Sequence, residues 1–243
     1  MTNRYYSPDE QRAEKVRELF AAIARRYDLL NDVMSLCLHR HWKQRLVKMA
    51  GKPQNVLDLC CGTGDIARRM PGRVVGVDFT DEMLRVAKVR CIREPARGSS
   101  PPRAGSRLQF IRADALRLPF ADNSFDVVSV GYGLRNLADL DAGLREVCRV
   151  LRPGGKLLSL DFGKPESRLW RRLYFAHLRF WMPVLGRLFV GDPDAYAYIL
   201  TSLEHYPAQR GVREAMERCG FGDCGFEEFW GGAMAINFGT KPK

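Results

Sequence analysis

The stretch VLDLCCGTGD, Val56 to Asp65, constrains this chain more than any other. Val56, Leu57 and Leu59 form a short apolar run that reads as a buried parallel strand, and Gly62-Thr63-Gly64 turns the chain into a helical pattern after Asp65. Glycine is required where the backbone turns sharply and lies against a ligand, because a Cβ would clash there. The next apolar run, Val74-Val75-Gly76-Val77, ends in Asp78. In a βαβ unit this places a carboxylate beside the glycine turn, where it accepts hydrogen bonds from ribose hydroxyls. A lone G-x-G is equally a tight turn in any α/β protein.

Two features narrow the reading. Ala67 stands where a third glycine would complete G-x-G-x-x-G, so close packing around a pyrophosphate is not signalled. Asp58, inside the strand ahead of the turn, suits a ligand with a cationic amino group better than one with phosphates. The combination resembles motif I of the S-adenosylmethionine-dependent methyltransferases.

The remaining core follows the same rhythm. Leu108 to Arg112 is a third strand followed by Asp114; Phe125 to Val130 is a fourth, running into Gly131-Tyr132-Gly133-Leu134-Arg135-Asn136. A helix over Leu140 to Leu151 stops at Arg152-Pro153-Gly154-Gly155, and Lys156 to Leu160 is a fifth strand. Strands alternating with helices imply right-handed crossovers and a parallel sheet, with the ligand beyond the carboxyl ends of the strands. Gly62, Asp78, Asp114 and Gly131 to Asn136 all fall on that edge. Thr80 is the expected N-cap of a helix ending near Arg90. Arg93 to Arg107, rich in Pro, Gly, Ser and Arg, reads as a mobile basic loop.

Ser7 to Met49 is helical, with Val16, Leu19, Phe20, Ile23, Ala24 and Tyr27 on one face. His39 and His41 are two apart and so do not share a helix face, which argues against a metal site. In Arg168 to Val190, Pro183 and Gly186 break any single helix, and the aromatic and basic content suits either packing on the sheet edge or gripping a lipid tail or membrane surface. Gly225 to Phe238 alternates as a closing antiparallel hairpin. One domain over 1–243 is expected: a helical cap (1–50), a cofactor-binding core (51–161), a helical region (162–224) and the hairpin (225–243).

Composition bounds the partners. A net charge of +11 favours nucleic acid or an anionic membrane surface. Seven cysteines without C-x-x-C spacing indicate neither a disulfide framework nor a zinc site and suit a reducing compartment. No signal-like segment or uncharged apolar run long enough to span a bilayer is present, so a cytoplasmic, peripherally membrane-associated protein is expected.

The blocks RRYDLLNDVMS, LDLCCGTGD, ADALRLPFADNSFD, GYGLRN and LREVCRVLRPGGKLL occur in that order and resemble the UbiE/MenG family of quinone C-methyltransferases. The resemblance covers nearly the whole chain, and GLRN together with YDLLNDVMS is its most selective part. It implies a class I fold: a doubly wound, mainly parallel seven-stranded sheet with a C-terminal antiparallel hairpin and an N-terminal helical cap. It implies S-adenosyl-L-methionine as cofactor, held by Asp58, Gly62, Thr63, Gly64, Asp78, Asp114, Ala115 and Gly131. It places Tyr27, Asp28, Arg135 and Asn136 beside the ring that is methylated. The implied substrate is a prenylated naphthoquinol, of phylloquinone or menaquinone type, with a benzoquinol as the alternative. The wording CCGTGD and GVDFT is nearest to cyanobacterial and plastid members. Departures are Cys60-Cys61 in place of small residues, Gly131 where many members carry Ser, and the longer basic loop.

Methyl transfer to a ring carbon needs an electron-rich ring, which a hydroquinone becomes on losing a phenolic proton. Arg135 is the expected stabiliser of the oxyanion, Asn136 an orienting donor, and Asp28 or a water it holds the proton acceptor, with Tyr27 assisting. Arg135 and Asn136 also read as a loop salt bridge and a turn-stabilising amide, and His205 as structural. The rival class, a nucleic-acid methyltransferase, would carry Asn/Asp-Pro-Pro-Tyr where this chain has Val130-Gly131-Tyr132-Gly133. Nucleic acid is therefore not expected as a partner; a peripheral anionic membrane is, and a homodimer stays open.

Overall fold

In the computed structural model the described residues are 5, 11–35, 37–93, 107–189, 191 and 194–243. The chain begins with α1 (Arg12–Ile23), a 3₁₀ turn (Ala24–Arg26), α2 (Tyr27–Ser35) and α3 (His39–Ala50). Leu19, Ile23 and Ala24 are buried, with Val16, Phe20 and Tyr27 packed beside them, as the helical spacing requires. Then come β1 (Asn55–Leu59), β2 (Arg73–Asp78), α4 (Asp81–Arg93), β3 (Leu108–Arg112) and β4 (Phe125–Gly131). Next are α5 (Leu140–Val150), β5 (Leu151–Phe162), α6 (Arg168–Phe189), α7 (Asp194–His205) and α8 (Ala208–Arg218). The chain closes with β6 (Gly222–Phe229) and β7 (Met234–Thr240).

The strands form a seven-stranded sheet in the order β3-β2-β1-β4-β5-β7-β6. The pairs from β3 through β5 are parallel, and β7 runs antiparallel to both neighbours. Successive side chains of a strand face opposite sides, so a central parallel strand must be apolar on both. Leu57, Leu59, Val77, Val128 and Val130 pack on one side with Leu144 and Val147 of α5. On the other side Val56, Val74, Val127 and Leu158 pack with Trp42 and Leu46 of α3. The strand order reverses between β1 and β4, which opens a crevice at their carboxyl ends.

Four expectations are corrected or bounded. The segment after Asp65 is a run of turns over 62–69 in place of a regular helix. It starts from left-handed Gly62 and Gly64 (φ +53° and +74°) and meets Pro71, which disfavours helix in the residue before it. α5 ends at Val150, within one residue of the expected stop, but β5 begins at Leu151 and not at Lys156: Phe125 pairs with Leu151 and Val127 with Lys156, so Arg152 to Gly155 bulge from a continuous strand. α6 runs unbroken through Pro183 and Gly186. Tyr174, Leu178, Met182 and Leu185 bury one face of it, and that packing outweighs the one hydrogen bond a proline removes. α4 continues to Arg93, and residues 94–106 of the basic loop, like residues 6–10 of the cap, lie outside the described residues.

Candidate functional site

A cleft opens over the carboxyl ends of β1, β2 and β4, and the sequence-predicted residues Gly62, Asp78, Asp114, Ala115, Gly131, Tyr27 and Asn136 all line it. Parallel pairing puts Leu59 opposite Val77, which brings Asp78 level with the turn that follows β1. Its Oδ2 accepts the Gly62 N–H at 2.8 Å and its Oδ1 the Thr80 N–H at 2.9 Å. Burial pushes the Asp78 pKa up, and these amides oppose the shift. Gly64 is favoured by its φ of +74°, with Phe110 Cζ 2.8 Å from where its Cβ would stand; at Gly131 a Cβ would lie 2.4 Å from Ile66 Cδ1, the end of a flexible side chain that would have to move. Asp114 is exposed and accepts the Leu116 N–H at 2.9 Å, which sets the turn that presents Ala115.

Asp58, Thr63 and Gly64 stand behind this surface and do not line the cleft. Asp58 is 1% exposed; Ser129 donates to its Oδ1 at 2.6 Å, while Oδ2 has no hydrogen-bond partner of normal geometry. Burial raises its pKa to about 7, with Ser129 and the nearby Ala67 N–H acting against the rise. Thr63 is buried and donates to Asp28 Oδ1 at 2.9 Å. The other Asp28 oxygen is paired with Arg90. Asp28 therefore ties α2 to the glycine turn and α4, and its carboxylate is committed there.

Arg135 is 5% exposed and forms a buried ion pair with Asp161. It also donates to the Tyr132 carbonyl at 3.1 Å and stacks 4.9 Å from the Phe162 ring centre, while its Nε–H is buried without a partner. The salt-bridge alternative for Arg135 is thus realised, with a partner that motif reading did not single out. An acid closing the apolar run LLSLDF, as Asp78 closes its own strand, was the available signal for Asp161. Asn136 donates to the Tyr132 carbonyl at 3.0 Å and accepts from the Tyr198 hydroxyl at 3.0 Å, so it braces the loop. Burial raises the Tyr27 hydroxyl to about 12, opposed by the Arg135 charge.

A second buried pair escaped sequence reasoning. Lys43 of α3 binds Asp65 at 2.9 Å, both nearly inaccessible, and the Asp65 carboxyl, though burial opposes it, is held well below the usual range by the Lys43 and Arg69 charges. His205 donates through Nδ1 to the Thr201 carbonyl at 2.9 Å, one turn back in α7.

The polar inventory fits a nucleoside with a cationic centre. Asp78 and Asp114 face the cleft beside a small residue and a glycine turn, and Asp58 leaves a buried oxygen unpaired behind it. Among the described residues no cluster of cations suited to a polyphosphate lines the cleft, where Arg17 carries the positive charge.

Residues 8–241 match the ubiE/COQ5 methyltransferase family. A relative from Ectopseudomonas mendocina named ubiquinone/menaquinone biosynthesis C-methyltransferase UbiE is 40% identical, covering 97% of this chain and 92% of its own. The protein of the same name from Azotobacter vinelandii is 37% identical, covering 97% and 93%. Among solved structures, an S-adenosylmethionine-dependent methyltransferase of Thermotoga maritima shares the fold with a TM-score of 0.60 at 17% identity, over 92% of this chain and 99% of that one. Phosphoethanolamine N-methyltransferase 2 of Haemonchus contortus, solved with S-adenosyl-L-methionine, does so with a TM-score of 0.57 at 18% identity, over 84% and 53%. Sequence and geometry converge, and the chain belongs to the ubiE/COQ5 methyltransferase family as an S-adenosylmethionine-dependent C-methyltransferase.

Proposed function

We propose that the protein methylates a ring carbon of a prenylated naphthoquinol, the last step towards a quinone of the phylloquinone or menaquinone type. The observation that carries this is the full-length similarity to enzymes named for ubiquinone and menaquinone biosynthesis. A benzoquinol ring is the alternative those names also admit. S-adenosylmethionine, when bound, supplies an electrophilic methyl group on a sulfonium. Asp78 receives the ribose hydroxyls, Ala115 and the Asp114 turn border the adenine, and Asp58 fixes the amino end through the glycine turn. Asp28, Thr63 and Gly64 hold that turn in shape.

A phenol near pKa 10 resists ionisation at neutral pH, and a buried cation lowers the cost. Arg135 supplies that cation, fixed in direction by Asp161, with its unpaired Nε–H as the donor for the ring oxygen. Asn136 holds the loop through Tyr132 and Tyr198. Tyr27 keeps its proton at neutral pH, since its hydroxyl is raised to about 12, and it serves as a donor. With Asp28 committed to Thr63 and Arg90, the proton acceptor is solvent at the cleft mouth.

The proposal extends to a membrane surface. At 3.6 residues per turn, Leu169, Leu173 and Phe180 fall on one line of α6 and Trp170, Trp181 and Leu188 on the next, and all are exposed. Arg168, Arg172 and Arg179 flank them, on a chain with a net charge of +11. No helix among the described residues is long and apolar enough to cross a membrane. The combination supports peripheral, reversible attachment.

Four measurements check these assignments. Purified protein given labelled methyl donor and a panel of demethylated quinols is expected to label prenylated naphthoquinols faster than benzoquinols; the reverse order would select the alternative ring, and no labelling would remove the quinol reading. Asp78→Ala is expected to weaken S-adenosylmethionine binding by about 1.5–3 kcal/mol in calorimetry, the size of charge-assisted hydrogen bonds. Arg135→Lys keeps a charge against Asp161 but loses the guanidinium fork, so turnover should fall roughly a hundredfold with cofactor affinity retained and partial recovery at alkaline pH. In vesicle sedimentation, binding should require anionic lipid, weaken with salt and drop in Arg168→Glu/Arg172→Glu, each basic residue contributing about 1 kcal/mol at such a surface.

A further inference from the structure

A second cavity, of about 350 Å³, shares Tyr132 as a wall with the nucleoside cleft. It lies between α2 and α3 on one side and α6 and the turn joining β6 to β7 on the other. Among the described residues its lining contains no Asp, Glu, Lys or Arg, although 28% of the chain is charged. Three of the four tryptophans, Trp42, Trp170 and Trp230, face it, together with methionines from α2, α6 and β7. Protein interiors close voids of this size unless something fills them; Asn31, Ser35, His39 and His177 bring polar groups to the wall, but its larger part is tryptophan, leucine and methionine, which offers a polar occupant little in return for its lost hydration. The occupant this wall suits is a neutral hydrocarbon chain, to which indoles and flexible thioethers adapt.

The position of the mouth identifies the chain. Trp170 donates through its indole N–H to the Trp230 carbonyl at 2.8 Å, and these two residues and Leu173 stand partly in solvent, with Trp230 52% and Leu173 55% exposed. The mouth therefore opens on the exposed apolar face of α6, and the inner wall ends at Tyr132, beside the ends of β1 and β4. A chain entering from that face is led towards the place where a ring would meet the cleft. We propose that this cavity binds the isoprenoid chain of the methyl-accepting substrate, threaded from the α6 face, with Tyr132 partitioning the chain from the nucleoside cleft. The inference rests on the quinol reading above, and it adds the place and the direction of the tail. A phospholipid acyl chain has the same chemistry but no link to a ring at the cleft.

The test separates tail recognition from surface attachment and from the quinol reading itself. Leu173→Glu sets a charge at the mouth on an exposed position, and Trp230→Asn removes an indole at a residue whose φ of +53° asparagine tolerates. In detergent without vesicles, both variants should raise KM for a geranylgeranyl naphthoquinol about tenfold, the effect of returning roughly two buried methylenes to water, and leave kcat and the KM of tailless naphthoquinol unchanged. Phe180→Glu, on the same exposed face but outside the cavity, should leave both KM values unchanged. Independently of catalysis, geranylgeraniol should shift the tryptophan emission of the wild-type protein to the blue, saturably, and this response should weaken in Trp230→Asn. Equal changes in KM with and without the tail, or no change with either, would overturn the proposal. So would an emission that geranylgeraniol leaves unmoved. If no quinol is methylated while the emission shift stands, the quinol reading fails and a hydrocarbon site remains.

Discussion

The hydrogen bond from the Gly62 N–H to the Asp78 carboxylate is the contact on which the rest of the site depends. Parallel pairing of β1 and β2 brings the two groups level, and the Cys61 N–H adds a second tie to the Val77 carbonyl at 2.9 Å. The turn so held has three left-handed residues, Cys60, Gly62 and Gly64. A non-glycine residue at positive φ carries a backbone cost, and the fixed contacts on both sides keep Cys60 there. From this turn the cap is anchored twice: Thr63 reaches Asp28 of α2, and Asp65 reaches Lys43 of α3. α2, whose Tyr27 lines the cleft, and α3 behind it are thus positioned by the turn that shapes the cleft floor.

The two buried ion pairs explain how the short segments after β4 and after the glycine turn keep their places. Burying a charge is costly, and removing one partner of such a pair leaves the other stranded, commonly worth about 3–5 kcal/mol. Arg135–Asp161 fixes the loop after β4 against the end of β5, and Lys43–Asp65 fixes the segment after the glycine turn against α3. Neither pair is an efficient source of stability. Each specifies one arrangement, because any other leaves an unpaired charge inside.

The strands and the glycine turn were legible because their signals are local. Val56 to Leu59 and Val74 to Val77 declare burial on both faces within a few residues, and the register then follows from parallel pairing. What was not legible depends on residues far apart in the chain. Asp161 lies 26 positions from Arg135 and Asp28 lies 62 from Arg90, so no spacing rule joins them. The break assigned at Pro183 failed for the same reason: a local rule against proline met burial of Tyr174, Leu178, Met182 and Leu185, which only the tertiary contacts reveal. The turns after Asp65 failed in the opposite sense, since a helical pattern there is interrupted by left-handed glycines before it and Pro71 after it. Site residues read from motifs separated into two layers, with Asp78, Asp114 and Asn136 at the cleft and Asp58, Thr63 and Asp28 behind it.

Charge is distributed in a way that a soluble ligand alone would not require. The chain carries a net +11, yet among the described residues the cavity beyond Tyr132 is lined by no Asp, Glu, Lys or Arg. An electropositive exterior draws a protein towards an anionic surface over a distance set by screening, on the order of 8 Å at physiological salt, whereas a neutral interior acts only on contact. The two properties meet along α6, whose buried face closes the cavity and whose outer face presents leucine and tryptophan between arginines. One unbroken helix joins the two, because a break at Pro183 would separate the wall formed by Leu178 and Met182 from the far end of the exposed apolar line at Leu188. If α6 serves the proposed membrane face and chain cavity, its continuity is a functional constraint as well as a packing result.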